Sequence, residues 1–278
     1  RCGWFKDRCY VLQAKAPGKV QTGAVRLMVT RMNIYGATDV GRVRTNNEDC
    51  YIALVGDGCP AGIDALLIVA DGMGGHAAGE VASKMAVEGM VDKLVGEEDY
   101  LTSLEGAGFG AALGKILEEV SGEVYVAGQF PPNQGMGTTC TVAAIKSSQL
   151  YLAHIGDSRA YLFRDGDLHQ LTTDHTWVEE AVVSGILTRD AARVHPNRSV
   201  ITRAVGLDPE VEADKQMMPL MGGDLLLLCS DGLNSMVTDA DITDLLSSNV
   251  PEQVCAALID VARGAGGHDN VTVVVAAS

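Results

Sequence analysis

The sequence predicts an α+β fold in which antiparallel sheets are covered by helices. Two observations carry that expectation. Short apolar strands follow one another through turn signals, and helical patterns come in blocks between runs of strands. A third sets the scale: 278 residues with 47% hydrophobic content can bury a substantial core, and with only 5% aromatics that core must be aliphatic. A doubly wound parallel sheet, which needs regular alternation of strand and helix, fits the pattern less well.

Strands are expected at 33–39, 50–55, 65–71, 138–146, 149–157, 158–164, 167–172, 211–217, 224–230 and 270–276. Asp165-Gly166 is a hairpin dipeptide between two of them. Residues 77–95 read as an amphipathic helix, with Val81, Ala82, Met85 and Gly89 on one face and Glu80, Lys84, Glu88 and Asp92 on the other. A second helix is expected over much of 102–127. A helical pair follows at 239–248 and 251–264, with Pro251 suited to a first turn. Residues 174–206 hold one short helical pattern and then Gly185, Pro196 and polar residues, as an insertion over a site would.

The net charge of −15 argues against a nucleic-acid surface, and no stretch approaches the roughly 18–20 apolar residues of a membrane span. Seven scattered cysteines with no C-x-x-C pair point to a reduced, cytoplasmic protein. Charge is uneven. Residues 1–31 carry +6 and residues 32–278 carry −21. The first segment reads as a basic extension, an upstream sequence or cloning remnant before a start at Met32, or else a tethering arm. Residues 32–278 read as the folded domain.

Four aspartates mark the ends of apolar strands: Asp71 in LLIVADGMGGH, Asp157 in LYLAHIGDSRA, Asp231 in LLLLCSDGL and Asp269 in GGHDNVTVVVA. Converging carboxylates repel unless a cation neutralises them. Oxygen ligands of this kind suit Mg2+ or Mn2+. Asp-Gly is also a common turn, and Asp57-Gly58 and Asp165-Gly166, set among polar residues, are read that way. The stretch TDVGRVRTNNED adds Arg44, Glu48 and Asp49. A guanidinium suits bidentate capture of phosphate, and on a strand Arg44 and Glu48 would share a face. Alone, these residues fit a surface strand with a cross-strand ion pair better.

The series RTNNED, VADGMGGHAAGEVAS, GMGTTCTVA, IGDSRAYLFR, LTTDHT, ITRAVG, CSDGL and GGHDNVTVVV resembles the bacterial form of the PP2C-type metal-dependent serine/threonine protein phosphatases. The likeness runs from about Tyr35 to Val275. It implies a four-layer α-β-β-α sandwich of two antiparallel sheets flanked by helices, with Mn2+ or Mg2+ at one end. Two core ions are implied, with Asp157, helped by Asp231, serving a third. Asp71 would bridge the two core ions, the carbonyl of Gly72 would bind one, and Asp231 and Asp269 would complete the other's shell. Glu48 and Asp49 would bind or orient metal waters, Asn270 would fix the turn around Asp269, and Arg44 would hold the substrate phosphate. Residues 174–206 would be the flap that shapes access. The implied reaction is hydrolysis of phosphoserine and phosphothreonine by a metal-activated water, without a phosphoenzyme. The implied substrates are phosphoproteins made by a bacterial serine/threonine kinase, and a monomer is expected.

Met73 stands where eukaryotic members carry His, and Met cannot donate a proton. A metal-bound water, or less readily His76, is left as the acid for the leaving group. The rival from a different class is a silent relative used as a phospho-binding module. A phosphatase dedicated to one regulator is a second. Cys2 and Arg8 form a C-x5-R pattern, but the intervening GWFKD is too bulky to cradle phosphate. The Gly-rich DGMGGH lacks the Lys-Ser/Thr of a nucleotide loop.

Overall fold

The computed structural model describes residues 11–12, 32–74 and 78–278. His76 and most of the basic extension therefore lie outside the described residues. The strands begin with Val11–Leu12 (β1), Asn33–Asp39 (β2), Asp49–Val55 (β3) and Ala65–Met73 (β4). Gly137–Thr138 (β5), Cys140–Lys146 (β6), Gln149–Ile155 (β7), Arg159–Arg164 (β8) and Asp167–Gln170 (β9) follow. Asp214–Pro219 (β10), Leu225–Cys229 (β11) and Val271–Ala277 (β12) complete the set.

A seven-stranded sheet runs β1-β3-β4-β6-β7-β10, with β5 paired to β4. The other sheet has five strands, in the order β2-β12-β11-β8-β9. Pairing is antiparallel throughout except for β1, which lies parallel to β3. All ten expected strands are present, 33–39 at its expected bounds and the others with shifted ends. The 138–146 segment divides at Thr139 into β5 and β6, and the 211–217 strand sits later, where Asp214–Pro219 pairs with β7.

The helices are Ala78–Gly96 (α1), Glu98–Ser103 (α2), Gly106–Ala127 (α3), Trp177–Val183 (α4), Arg189–Arg193 (α5), Asp231–Asn234 (α6), Asp239–Ser248 (α7) and Pro251–Gly264 (α8). The helix expected over much of 102–127 is Gly106–Ala127, and a short helix, Glu98–Ser103, precedes it without having been expected. The Lys146 ammonium takes the carbonyls of Leu101, Thr102 and Leu104, which satisfies the end of α2, and Gly106 at φ +54° restarts the chain as α3. Segment 174–206 likewise holds two short helices, with Thr176 and Thr188 accepting N-cap bonds. The face expected for α1 is also revised. Ala82, Ala86, Val87, Met90 and Leu94 are buried, while Val81 and Met85 lie at its edge. Packing on both β4 and α3 turns the small residues inward.

Strand alternation builds four layers. Leu66 and Ile68 of β4 face α1 and α3, packing with Met90, Leu113 and Leu117. Leu67 and Val69 face the opposite sheet and meet Leu226, Leu228 and Val274. Leu227, Val273 and Val275 then point outward beneath Ile242, Val254 and Leu258 of α7 and α8. The order is helix, sheet, sheet, helix, as expected. No helix of the described residues is long and apolar enough to cross a membrane.

Candidate metal centre

At one end of the sandwich the aliphatic interior gives way to carboxylates. Asp49 opens β3 and stands directly opposite Asp71 in the β3–β4 register. Like charges at such positions repel. Asp157 follows the turn at Gly156, Asp231 opens α6 just past β11, and Asp269 precedes β12. The structure thus brings the four strand-end aspartates and Asp49 into one electrostatic group. Among the described residues, however, no three His, Cys, Asp or Glu side chains form a ready metal cage. Hard cations that keep several waters and take backbone carbonyls do not need one.

The carboxylates at this end are mutually unfavourable. Asp71 is held well above the usual carboxylate range, first by burial and then by Asp49, Asp231, Asp157 and Asp269. Burial and then Asp269 push Asp231 up to about 6, eased by a hydrogen bond with Asp71. Asp49 is pushed up to about 7 by burial. Asp157 is raised by burial, then by Asp231 and Asp174. By accessible surface Asp71 and Asp231 are only half-buried. Asp49 Oδ1 is buried and without a hydrogen-bond partner. An orphaned carboxylate oxygen among mutually repelling acids is the donor set that a divalent cation and its waters satisfy.

The Arg44 region departs from the sequence expectation. Residues 40–48 are a loop, not a strand, so Arg44 and Glu48 do not share a strand face. The turn at Gly41 and the bends after it prevent extended pairing before Asp49. Arg44 instead donates Nη2 to Asp269 Oδ2 at 2.8 Å and stays exposed. Asp269 raises its pKa further. Glu48 is raised by burial. Its carbonyl accepts from the Gly72 N–H at 3.1 Å and from Ser83 Oγ at 2.6 Å. Gly72 has no room for a side chain: a Cβ would collide with the carbonyl oxygens of Gly79 and Glu48.

Asn270 does more than fix its own turn. Its Nδ2 donates to the carbonyls of Val40 and Asn46 at 3.0 and 2.9 Å, and its Oδ1 accepts from Glu48 N–H at 2.8 Å. One amide therefore ties the loop of Arg44 and Glu48 to the Asp269 turn. Several supporting residues were not singled out from sequence. Thr139 Oγ1 accepts the Asp71 N–H at 2.9 Å, and Thr138 Oγ1 donates to the Asp71 carbonyl at 2.8 Å. Arg159 grips Asp174 through Nε and Nη2, at 2.8 and 2.7 Å. The quoted stretches GMGTT and GDSR contain these residues, but nothing in their spacing assigns partners.

Segment 174–206 is anchored beside Asp157. His175 donates its N–H to the Gly156 carbonyl at 2.8 Å, and its Nδ1 accepts the Gly156 N–H at 3.0 Å. Its carbonyl takes the Thr202 N–H at 2.8 Å, joining both ends of the segment. His154 packs against it, 4.8 Å between ring centres, and burial pushes its pKa down to about 3. A cavity of about 280 Å³ lies between this segment and residues 231–239, with Asp157 and Asp231 in its lining.

Comparison with known proteins follows the same outline. The description "Protein phosphatase 2C" matches residues 42–260. The chain is 38% identical over 250 residues to protein phosphatase PhpP of Streptococcus pneumoniae, covering 87% of this chain and 96% of that one. The serine/threonine phosphatase structure from S. agalactiae superposes with a TM-score of 0.80 at 35% identity, covering 88% of this chain and 99% of that one. The catalytic domain of the phosphatase PstP, solved in complex with two manganese ions, gives a TM-score of 0.73 at 38% identity, with 88% and 97% covered. Sequence match, fold and acidic end agree, and this chain belongs to the protein phosphatase 2C family.

Proposed function

We propose that this protein is a metal-dependent phosphoprotein phosphatase that hydrolyses phosphoserine and phosphothreonine esters without a phosphoenzyme. The observation that carries the reading is the group of mutually repelling carboxylates at the end of the sandwich, with the buried Asp49 Oδ1 unpartnered among them. Asp71, Asp231 and Asp269, the carbonyl of Gly72, and Glu48 and Asp49 would hold two Mn2+ or Mg2+ ions and their waters. Asp157 with Asp231 would serve a third. When bound, such ions lower the pKa of a coordinated water to near neutrality and offset charge on the phosphoryl oxygens.

The remaining work falls to the chain itself. Arg44, exposed and bonded to Asp269, would turn its other guanidinium edge to a phosphoryl oxygen. Asn270 holds the Arg44 loop in register with the Asp269 turn, so phosphate capture and ion binding share one support. Segment 174–206 would act as a flap, since it walls the cavity that opens onto Asp157 and Asp231. Met73 offers no proton to the leaving seryl or threonyl oxygen. The substrates would be phosphoproteins made by a bacterial serine/threonine kinase, met by a cytoplasmic monomer. Cys59, Cys140, Cys229 and Cys255 keep their thiols outside any disulfide, which supports a reducing compartment.

The test is hydrolysis of p-nitrophenyl phosphate and a phosphothreonine peptide, in EDTA and then with Mn2+ or Mg2+. Activity that requires metal and disappears in Asp231→Asn supports the reading. A folded protein that is silent with either ion sinks it in favour of a phospho-binding module.

A further inference from the structure

The two oxygens of Asp49 are treated very differently. Oδ2 accepts Ser230 Oγ at 2.7 Å and Thr272 Oγ1 at 2.6 Å. Oδ1 is buried and receives nothing. Two donors on one oxygen fix the rotation of the carboxylate and leave the other oxygen's lone pairs free.

The donors are themselves oriented. A threonine hydroxyl has one proton, and Thr272 commits its own to Asp49. The 2.7 Å contact between Thr38 Oγ1 and Thr272 Oγ1 must then be donated by Thr38. Thr38 has no proton left for Asn47, so it accepts from Asn47 Nδ2 at 2.8 Å. Asn47 Oδ1 closes the circuit by accepting the Asp49 N–H at 3.2 Å. Ser230 is aligned in the same sense, because its Oγ accepts the Thr272 N–H at 3.0 Å. Every proton in the ring points one way, and such chains polarise each other. The ring also spans the sandwich, since Thr38 and Thr272 lie on β2 and β12 and Asp49 lies on β3 of the other sheet.

We infer that Asn47, Thr38, Thr272 and Ser230 are positioning residues that lock Asp49 with Oδ1 aimed into the metal centre and so set its affinity for divalent ions. None of them need touch substrate. The inference rests on the metal-dependent reading above. A purely structural tie between the sheets would explain the hydroxyls on Oδ2. It would not explain why a buried carboxylate oxygen is kept unpaired, which costs stability.

The test is calorimetric titration of Mn2+ into wild type, Thr272→Val and Thr272→Ser, with metal-free melting temperatures recorded for each. Val keeps the shape of the side chain and removes the proton, and Ser restores the proton. Thr272→Val is expected to bind Mn2+ about 10–100-fold more weakly, the usual loss when a ligand's supporting partner is removed. Thr272→Ser is expected to return close to wild type. Equal Mn2+ affinity in wild type and Thr272→Val, with only the melting temperature lowered, would leave the ring a structural tie and overturn the inference. If Thr272→Val does not fold, Thr38→Val is titrated instead, with a smaller weakening expected and unchanged affinity overturning the inference. Wild type that binds no Mn2+ would instead overturn the metal-dependent reading itself, so the two failures are distinct.

Discussion

The middle and the end of the sandwich are both interior, yet they are built on opposite terms. Between the sheets, Leu67, Val69, Leu226 and Val274 bury apolar surface with no polar group to satisfy. At the end, Asp49, Asp71, Asp157 and Asp231 are crowded together with raised pKa values. The first region gains stability from folding alone. The second loses it, and on the proposed metal-dependent reading a bound cation would restore it. Substitutions should therefore have opposite signatures in the two regions.

The largest effect is expected for Asp71→Asn. Turnover should fall to background in Mn2+, while circular dichroism shows a folded protein. Leu67→Ala, in the aliphatic middle, should cost about 2–5 kcal/mol by denaturant titration and leave the half-saturating Mn2+ concentration unchanged. If Leu67→Ala altered Mn2+ affinity as strongly as stability, the two regions would not be separable.

The pH dependence gives a subtler contrast. Asp49 at about 7 and Asp231 at about 6 sit above their unfolded values of about 3.8. In that window the folded state holds more protons than the unfolded chain, so metal-free stability should fall as pH rises from about 4 to 7. Saturating Mn2+ should remove or reverse that slope, as read from melting temperatures across the range. The smallest effect is expected at exposed Arg44. Arg44→Ala should raise KM for a phosphopeptide about tenfold, or about 1.4 kcal/mol, with kcat lowered less. Equal loss in kcat and kcat/KM would place Arg44 in the transition state alone.

Much of the fold was legible because its signals are local. Runs such as ALLIVA and LLLLC, the Asp165-Gly166 turn and Pro251 at the start of α8 each announce their element. The break between α2 and α3 was not legible, since it depends on Lys146, a distant side chain reaching three carbonyls. The strand-end aspartates stood out because a charge after a buried run is conspicuous. Arg44 was weighed as part of a surface strand, since the ties from Asn270 that fix the 40–48 loop come from the far end of the sequence. The hydroxyls of Thr38, Ser230 and Thr272 were invisible for the same reason: a serine or threonine gains meaning only from what folding sets beside it.

The most direct test of this contrast is the melting temperature of wild type and Asp71→Asn, each in chelator and in saturating Mn2+. Relief of repulsion predicts that Asp71→Asn melts above wild type in chelator, and loss of a ligand predicts that it melts below wild type in Mn2+. A wild type that is the more stable in chelator, or an equal rise with Mn2+ in both proteins, would contradict the view of this acidic end as a metal centre.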